Sequence, residues 1–332
     1  MSDPQKFSPE DRLGGSGNGL RRYWPVLLVP VIGVFGWFGS QPVTITLLYG
    51  ATWATYAVGY DMFSGFSGRV NLGYAMFPAT AAYVTAVLSA RLKIAPALSI
   101  PAGIAAALLL AVVVGALTLR ITGIYFALST SIIPLALFQL THVFGKFLGG
   151  EEGIWGVPPI FTDPRLDLVV VLLILGASMC FALWYVRSKA GLVLRAIQGG
   201  ELTAQALGLN TFRFLFVSLL ASAVIGATAG AYLAHFQMLV APEILHIITT
   251  LQIITFAQIG GPGTIVGPVL GSFLLVNLNE YLRAWTDLRL FVYFATLVLL
   301  LRFSPNGVLV PIARAVRRLV QRSGPPSGPE RS

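Results

Sequence analysis

The chain is a succession of long, uncharged apolar runs, and that feature leaves few folds open to it. The runs fall at about 23–39, 43–61, 70–90, 95–118, 123–143, 168–187, 213–236, 246–261, 265–282 and 288–303. Hydrocarbon cannot satisfy backbone N–H and C=O groups, so runs of this kind cross a bilayer as helices. Ten crossings at about 20 residues each take about 200 of the 332 residues and leave no room for a sizeable aqueous domain. Composition agrees, with 56% of residues hydrophobic and 11% charged, against about a quarter charged in a soluble domain. The fold class is therefore all-α: a polytopic transmembrane helical bundle of about ten spans.

Net charge is +9. Such an excess can mark nucleic-acid binding, but here the bases gather at the tails and in one loop, which is the pattern of the positive-inside rule. Arg69, Arg120, the 187–213 cluster, Arg314, Arg317 and Arg318 fall on one side. Loop 144–167, with Glu151, Glu152, Asp163 and Asp167 against Lys146 and Arg165, falls on the other. Arg91, Lys93, Arg283 and Arg289 run against the pattern. The two long loops and both tails give an N-in, C-in orientation, with the lipid bilayer as partner and no nucleic acid. Residues 1–20 read as a disordered cytoplasmic tail, 21–303 as the membrane domain and 304–332 as a basic cytoplasmic tail. No A-x-A cleavage site follows Trp24–Phe38, so this segment reads as a retained first span. The lone Cys180 supports neither an internal disulfide nor a Cys-based metal site, and reads as a small buried hydrophobe.

Small residues four apart let helix backbones approach closely in lipid. Gly226 and Gly230 do so in the seventh span. Gly103, Ala107, Ala111 and Gly115 do so in the fourth, and Gly263, Gly267 and Gly271 continue the spacing into the ninth. Catalytic signatures are absent. There is no H-E-x-x-H, no G-x-S-x-G and no Cys/His cluster, and His142, His235 and His246 have no carboxylate neighbours in sequence. The phosphate-loop pattern is missing too, since Gly145-Lys146 is followed by Phe147 rather than Ser or Thr. No catalytic residue, metal or cofactor is expected.

Asp61, Glu243 and Glu280 lie near the ends of spans or in a loop and read as solvated at the membrane edge. The mid-span polar groups are neutral: Thr52, Thr55, Asn71, Gln252 and Gln258. Two places are interrupted by glycine, GFSGRVNLGY from Gly65 to Tyr74 and GGPGTIVGPVLG from Gly260 to Gly271. Irregular chain at membrane depth must be buried in protein or line a cavity, and interrupted segments in two halves point to a transport path. These features alone also admit an autonomous ion-coupled carrier or channel.

The loop from Arg187 to Phe214 reads as helix rather than linker. Gly199-Gly200 breaks it, Glu201 suits a helix N-terminus, and Gly208 suits a C-terminal cap. The expected result is a short amphipathic helix on the cytoplasmic face, either an interfacial membrane helix or a docking element for a soluble partner.

From Leu47 to Leu309 the sequence resembles the membrane subunit of ABC importers for branched-chain amino acids, the LivM-type branch of the LivH/LivM permease family. Gly68 to Phe77 matches that family's G-x-x-S-L-G-H-A-A-F, with Asn71 and Tyr74 in place of Ser and His. Leu119 to Ala127 matches L-R-x-x-G-x-Y-F-A, and Leu148 to Ile154 approaches T-G-G-x-x-G-L. Arg195-Ala196-Ile197, Glu201, Ala204 and Ala206-Leu207-Gly208-Leu209 match R-A-I-x-x-x-E-x-A-A-x-A-L-G-I. Gly260, Gly261, Gly263, Gly267, Pro268 and Gly271 complete G-G-x-G-T-x-x-G-P-x-x-G, and Pro305 to Val308 is close to P-x-G-L.

The resemblance implies the ABC importer permease fold in a bacterial cytoplasmic (inner) membrane. It implies ATPase coupling through Arg195, Glu201, Ala204, Ala206 and Gly208, and a translocation path near Asn71, Tyr74, Gln252 and Gln258. The implied partners are a second permease subunit (the same chain or a different one), two cytoplasmic ABC ATPase subunits and a solute-binding protein on the outer side. The implied solutes are branched-chain amino acids, or a related small polar solute such as urea or an amide. ATP hydrolysis then belongs to another chain.

Overall fold

A computed structural model describes residues 28–281, together with positions 26, 292 and 295. Both tails, the tenth run apart from positions 292 and 295, and the 305–308 motif lie outside the described residues. Within them, helices coincide with the first nine runs: α1 (Leu28–Phe38), α2 (Gln41–Tyr60), α3 (Met76–Ala86), α4 (Pro96–Thr118), α5 (Ile124–Val143), α7 (Pro164–Arg187), α10 (Thr211–Gln237), α11 (Ile247–Gly260) and α12 (Val266–Tyr281). Between them lie the single turn α6 (Gly145–Leu148), the loop helices α8 (Lys189–Gly199) and α9 (Glu201–Ala206), and the two-residue antiparallel pair β1 (Ile154–Trp155) and β2 (Leu239–Val240).

Among the described residues, α4, α5, α7 and α10 are long and apolar enough to cross a membrane by length and composition alone. α2, α3 and α11 depart from that standard for local reasons. α2 carries Thr44, Thr46, Thr52 and Thr55, whose hydroxyls each donate to a carbonyl one turn back. The run at 70–90 turns helical only at Met76, because Gly68 has φ +73° and the Asn71 Oδ1 accepts the Gly73 N–H at 2.9 Å. That local turn competes with the helix ladder. α11 is short because a glycine turn ends it, and the same turn sets the start of α12.

Small residues set the packing. In α4 the face of Gly103, Ala107, Ala111 and Gly115 is buried, while Leu109, Val113 and Leu117 on the opposite side are exposed. A Cβ on Gly103 would overlap the Ala81 carbonyl, and one on Gly230 would overlap the Pro78 backbone. α3 is thus held between α4 and α10 at backbone distance, the contact that drives association where lipid supplies no hydrophobic gain. α7 buries Leu168, Val171, Leu172, Leu175, Met179, Ala182, Leu183 and Val186, a 3.6-residue stripe. Its outward face carries Leu173, Phe181 and Trp184. Cys180 lies on that outward face and is exposed, which corrects the expectation of a buried thiol.

The connections gather at two ends of the bundle. At one, Arg69 reaches the α4–α5 turn and α9, and the 61–65 turn meets residues 263–265. At the other, β1 pairs with β2 and the His235 Nδ1–H donates to the Pro158 carbonyl at 2.8 Å.

Candidate functional site

The loop between α7 and α10 folds as two short helices against the first of these ends. Ser188 starts α8 by accepting the Ala190 N–H at 3.2 Å, and Gly191, Leu194 and Ile197 form its buried face. The Arg195 guanidinium lies over the Phe66 ring, 5.5 Å from its centroid. α9 then begins at Glu201. Ala204 is buried and Ala206 exposed. Gly208 has φ +80° and closes the helix: its N–H donates to the Gln205 carbonyl at 2.9 Å, and that of Leu209 to Ala204 at 3.2 Å. This pair of bonds is the Schellman cap, which needs a residue tolerant of the left-handed region. Leu202 and Leu207 stand 82% and 75% exposed on the outer surface of this helix.

Glu201 does not face outward with them. Its carboxylate oxygens lie 2.6 and 2.7 Å from Arg69 Nη2. Nη1 of the same guanidinium donates to the Leu119 and Ile121 carbonyls, each at 3.0 Å, and its carbon lies 5.5 Å from the centroid of Phe126. Arg69 is 7% exposed. Read from sequence it was one more inner-loop charge; in the fold it joins three separate segments.

Asp61 also departs from expectation. It is fully buried, not solvated at the membrane edge. α2 ends in a π-helical turn over Asp61–Gly65, which aims the carboxylate at the glycine turn: Oδ1 accepts from the Gly263 N–H at 2.7 Å and Oδ2 from Ile265 at 3.1 Å. The turn requires this support. Ile265 has φ +63°, an uncommon conformation for a β-branched residue.

Gly261 and Gly263 also take positive φ, and Thr264 Oγ1 accepts the Gly267 N–H at 3.0 Å. Side chains at Gly260 or Gly267 would overlap each other's carbonyls, and one at Gly271 would overlap that of Phe256. The motif is therefore a hairpin of two helices in backbone contact. Pro268 sits in the first turn of α12, where a missing N–H costs nothing.

A scan against family models identifies "Branched-chain amino acid transport system / permease component" over residues 43–301. The chain belongs to this family. Among its relatives is the high-affinity branched-chain amino acid transport system permease protein LivM of Escherichia coli K12, 25% identical over 306 residues, covering 83% of this chain and 71% of the relative. The permease protein LivH of Salmonella typhimurium is 25% identical over 283 residues, 78% of this chain and 92% of the relative. BraD of Pseudomonas aeruginosa is 24% identical over 299 residues, 81% and 95% respectively. No solved structure matches the chain. The family is one of transporter membrane components within multi-subunit systems, not of catalytic subunits, and it favours a permease subunit over a self-contained carrier or channel.

The residues expected along the permease's path separate. Asn71 is fully buried and serves the turn before α3, with its Nδ2 unpartnered among the described residues. Tyr74 is a wedge: its hydroxyl donates to the Ser222 carbonyl at 3.2 Å, and the ring packs where Gly59 and Gly226 leave room. Gln258 is half-buried near the glycine turn. Gln252 lines a cavity of about 270 Å³, shared with Tyr49, Trp53 and Tyr56 of α2, Gln237 of α10, Thr249 of α11, and Glu243. The Tyr56 hydroxyl is buried with no partner among the described residues. A hollow of about 320 Å³ lies at the start of α2 and α7, lined by Gln41, Thr44 and residues 162–165. Its Asp163 is occupied as the α7 cap. The aromatic cavity wall escaped sequence reading, although Tyr49, Trp53 and Tyr56 stand at helical spacing in one span.

Proposed function

We propose that this permease is one membrane subunit of an ATP-driven importer that carries branched-chain amino acids across a bacterial cytoplasmic membrane. The full bundle has about ten spans with both termini inside. The end bearing Arg69, Arg120 and residues 187–213 faces the cytoplasm, in keeping with its basic charge. A second permease subunit completes the pore, two ATPase subunits dock from below, and a solute-binding protein delivers solute at the end bearing β1 and β2.

The observation that carries this reading is α9: a short helix, capped at its end by Gly208 and anchored through Ala204, that presents Leu202 and Leu207 bare. Large apolar groups exposed on a loop helix mark a partner site when they sit on an otherwise fixed element. The ATPase subunit is the occupant the family supplies. The cavity beside Gln252 offers a solute three aromatic faces, amide and hydroxyl groups and the Glu243 carboxylate, which suits an aliphatic side chain with an amino group in its polar head.

Replacing both leucines (Leu202→Asp with Leu207→Asp) should release the ATPase from the purified complex and lower ATP-driven uptake by about tenfold or more, the scale of losing buried apolar anchors. Retention of the ATPase at the wild-type ratio would refute docking at α9.

A further inference from the structure

The cytoplasmic-side contacts of Arg69 have a role beyond fixing orientation. Arg69 lies in the irregular stretch between α2 and α3, directly after Gly68 with its φ of +73°. Its guanidinium touches the end of α4 at Leu119, the α4–α5 turn at Ile121 and the first residue of α9 at Glu201. Around it, the segment 61–69 meets the loop helices twice more, through the Gln198 amide on the Gly65 carbonyl at 3.2 Å and through Arg195 over Phe66. The same segment holds the glycine turn through Asp61. These contacts form an unbroken path from α9 to the break preceding α3, and from there to the α11–α12 hairpin.

Glu201 is only 20% exposed and both of its oxygens are engaged by Arg69. A carboxylate so placed contributes little to a soluble partner, and removing it would strand a nearly buried cation. We infer that Glu201 and Arg69 form a positioning pair that transmits motion of the ATPase-docked helix α9 into the broken segment before α3, and that Glu201 acts inside the chain rather than on the ATPase. This rests on the reading of α9 as the docking helix.

The test uses the complete importer in proteoliposomes, with ATPase retention and solute moved per ATP hydrolysed measured on the same assembled complex. Glu201→Gln, Arg69→Lys and the double variant are compared. The pair predicts that Glu201→Gln keeps the ATPase bound while transport per ATP falls about tenfold, the scale of losing a charged hydrogen-bonded link. Arg69→Lys, which keeps the charge but loses the fork that reaches two carbonyls and the carboxylate, should fall as well. The double variant should be no worse than the worse single one, because both break one link. Transport per ATP within about twofold of wild type in Glu201→Gln would overturn the proposal. So would loss of the ATPase or of the assembled complex in that variant, or losses that multiply in the double. Failure of the docking reading itself shows elsewhere, as an ATPase that stays bound when Leu202 and Leu207 are both replaced by aspartate.

Discussion

Asp61 and Arg69 stand eight residues apart at the junction of α2 and α3, and each engages backbone or side chain far along the sequence. Asp61 bonds residues 202 and 204 positions away, and Arg69 bonds Glu201 at a separation of 132. Position alone places both at the end of an apolar run, where a charge ordinarily meets water. What distinguishes them is the partner, and no local spacing reveals a partner at that distance. The same limit explains Cys180: an apolar run has two faces, and composition does not say which one a small residue occupies. For Asp61 the geometry makes a direct prediction. Asp61→Asn turns one acceptor into a donor facing two N–H groups, so the permease should lose about 1–3 kcal/mol of stability. A thermal melt of the purified complex reads this as a lowered midpoint, and an unchanged midpoint would show that the carboxylate does not support the turn around Ile265.

At the level of elements, much was legible. Apolar runs of about 20 residues locate helices because lipid forces backbone pairing within the segment, and every run inside the described residues contains one. The glycine signals were legible as well. The break at 199–200 and the cap at Gly208 follow from chain chemistry that acts within a few residues. The start of α3 was less so, since the stretch 70–75 is apolar enough to be taken for helix while Asn71 turns it aside. The Gly208 cap can be separated from the docking surface proposed for α9. A Cβ there meets nothing within 4 Å, so the only cost is the left-handed backbone. Gly208→Asn, which tolerates that conformation, should keep uptake near wild type, whereas Gly208→Val should weaken it several-fold at about 1–2 kcal/mol of strain. Equal uptake in the two variants would mean that the cap does not fix α9.

At the scale of the whole molecule, the chain belongs to a family of transport permease components, and a subunit of that kind fits the proposed division of labour with a separate ATPase. The two glycine-interrupted places that sequence singled out meet in space at Gly65 and Gly263, beside Asp61 and next to the loop helices. Gln252 lines the aromatic cavity, whose α2 wall is hidden in the sequence among residues that also serve as core. The central claim, that this bundle moves solute only when driven through its cytoplasmic end, is tested most directly by uptake of a labelled branched-chain amino acid into proteoliposomes. The chain would be assembled with its second permease subunit, ATPase subunits and solute-binding protein, and compared with the chain alone. Uptake that appears only in the full assembly and only with ATP is the predicted result. Uptake by the lone chain without ATP would contradict it.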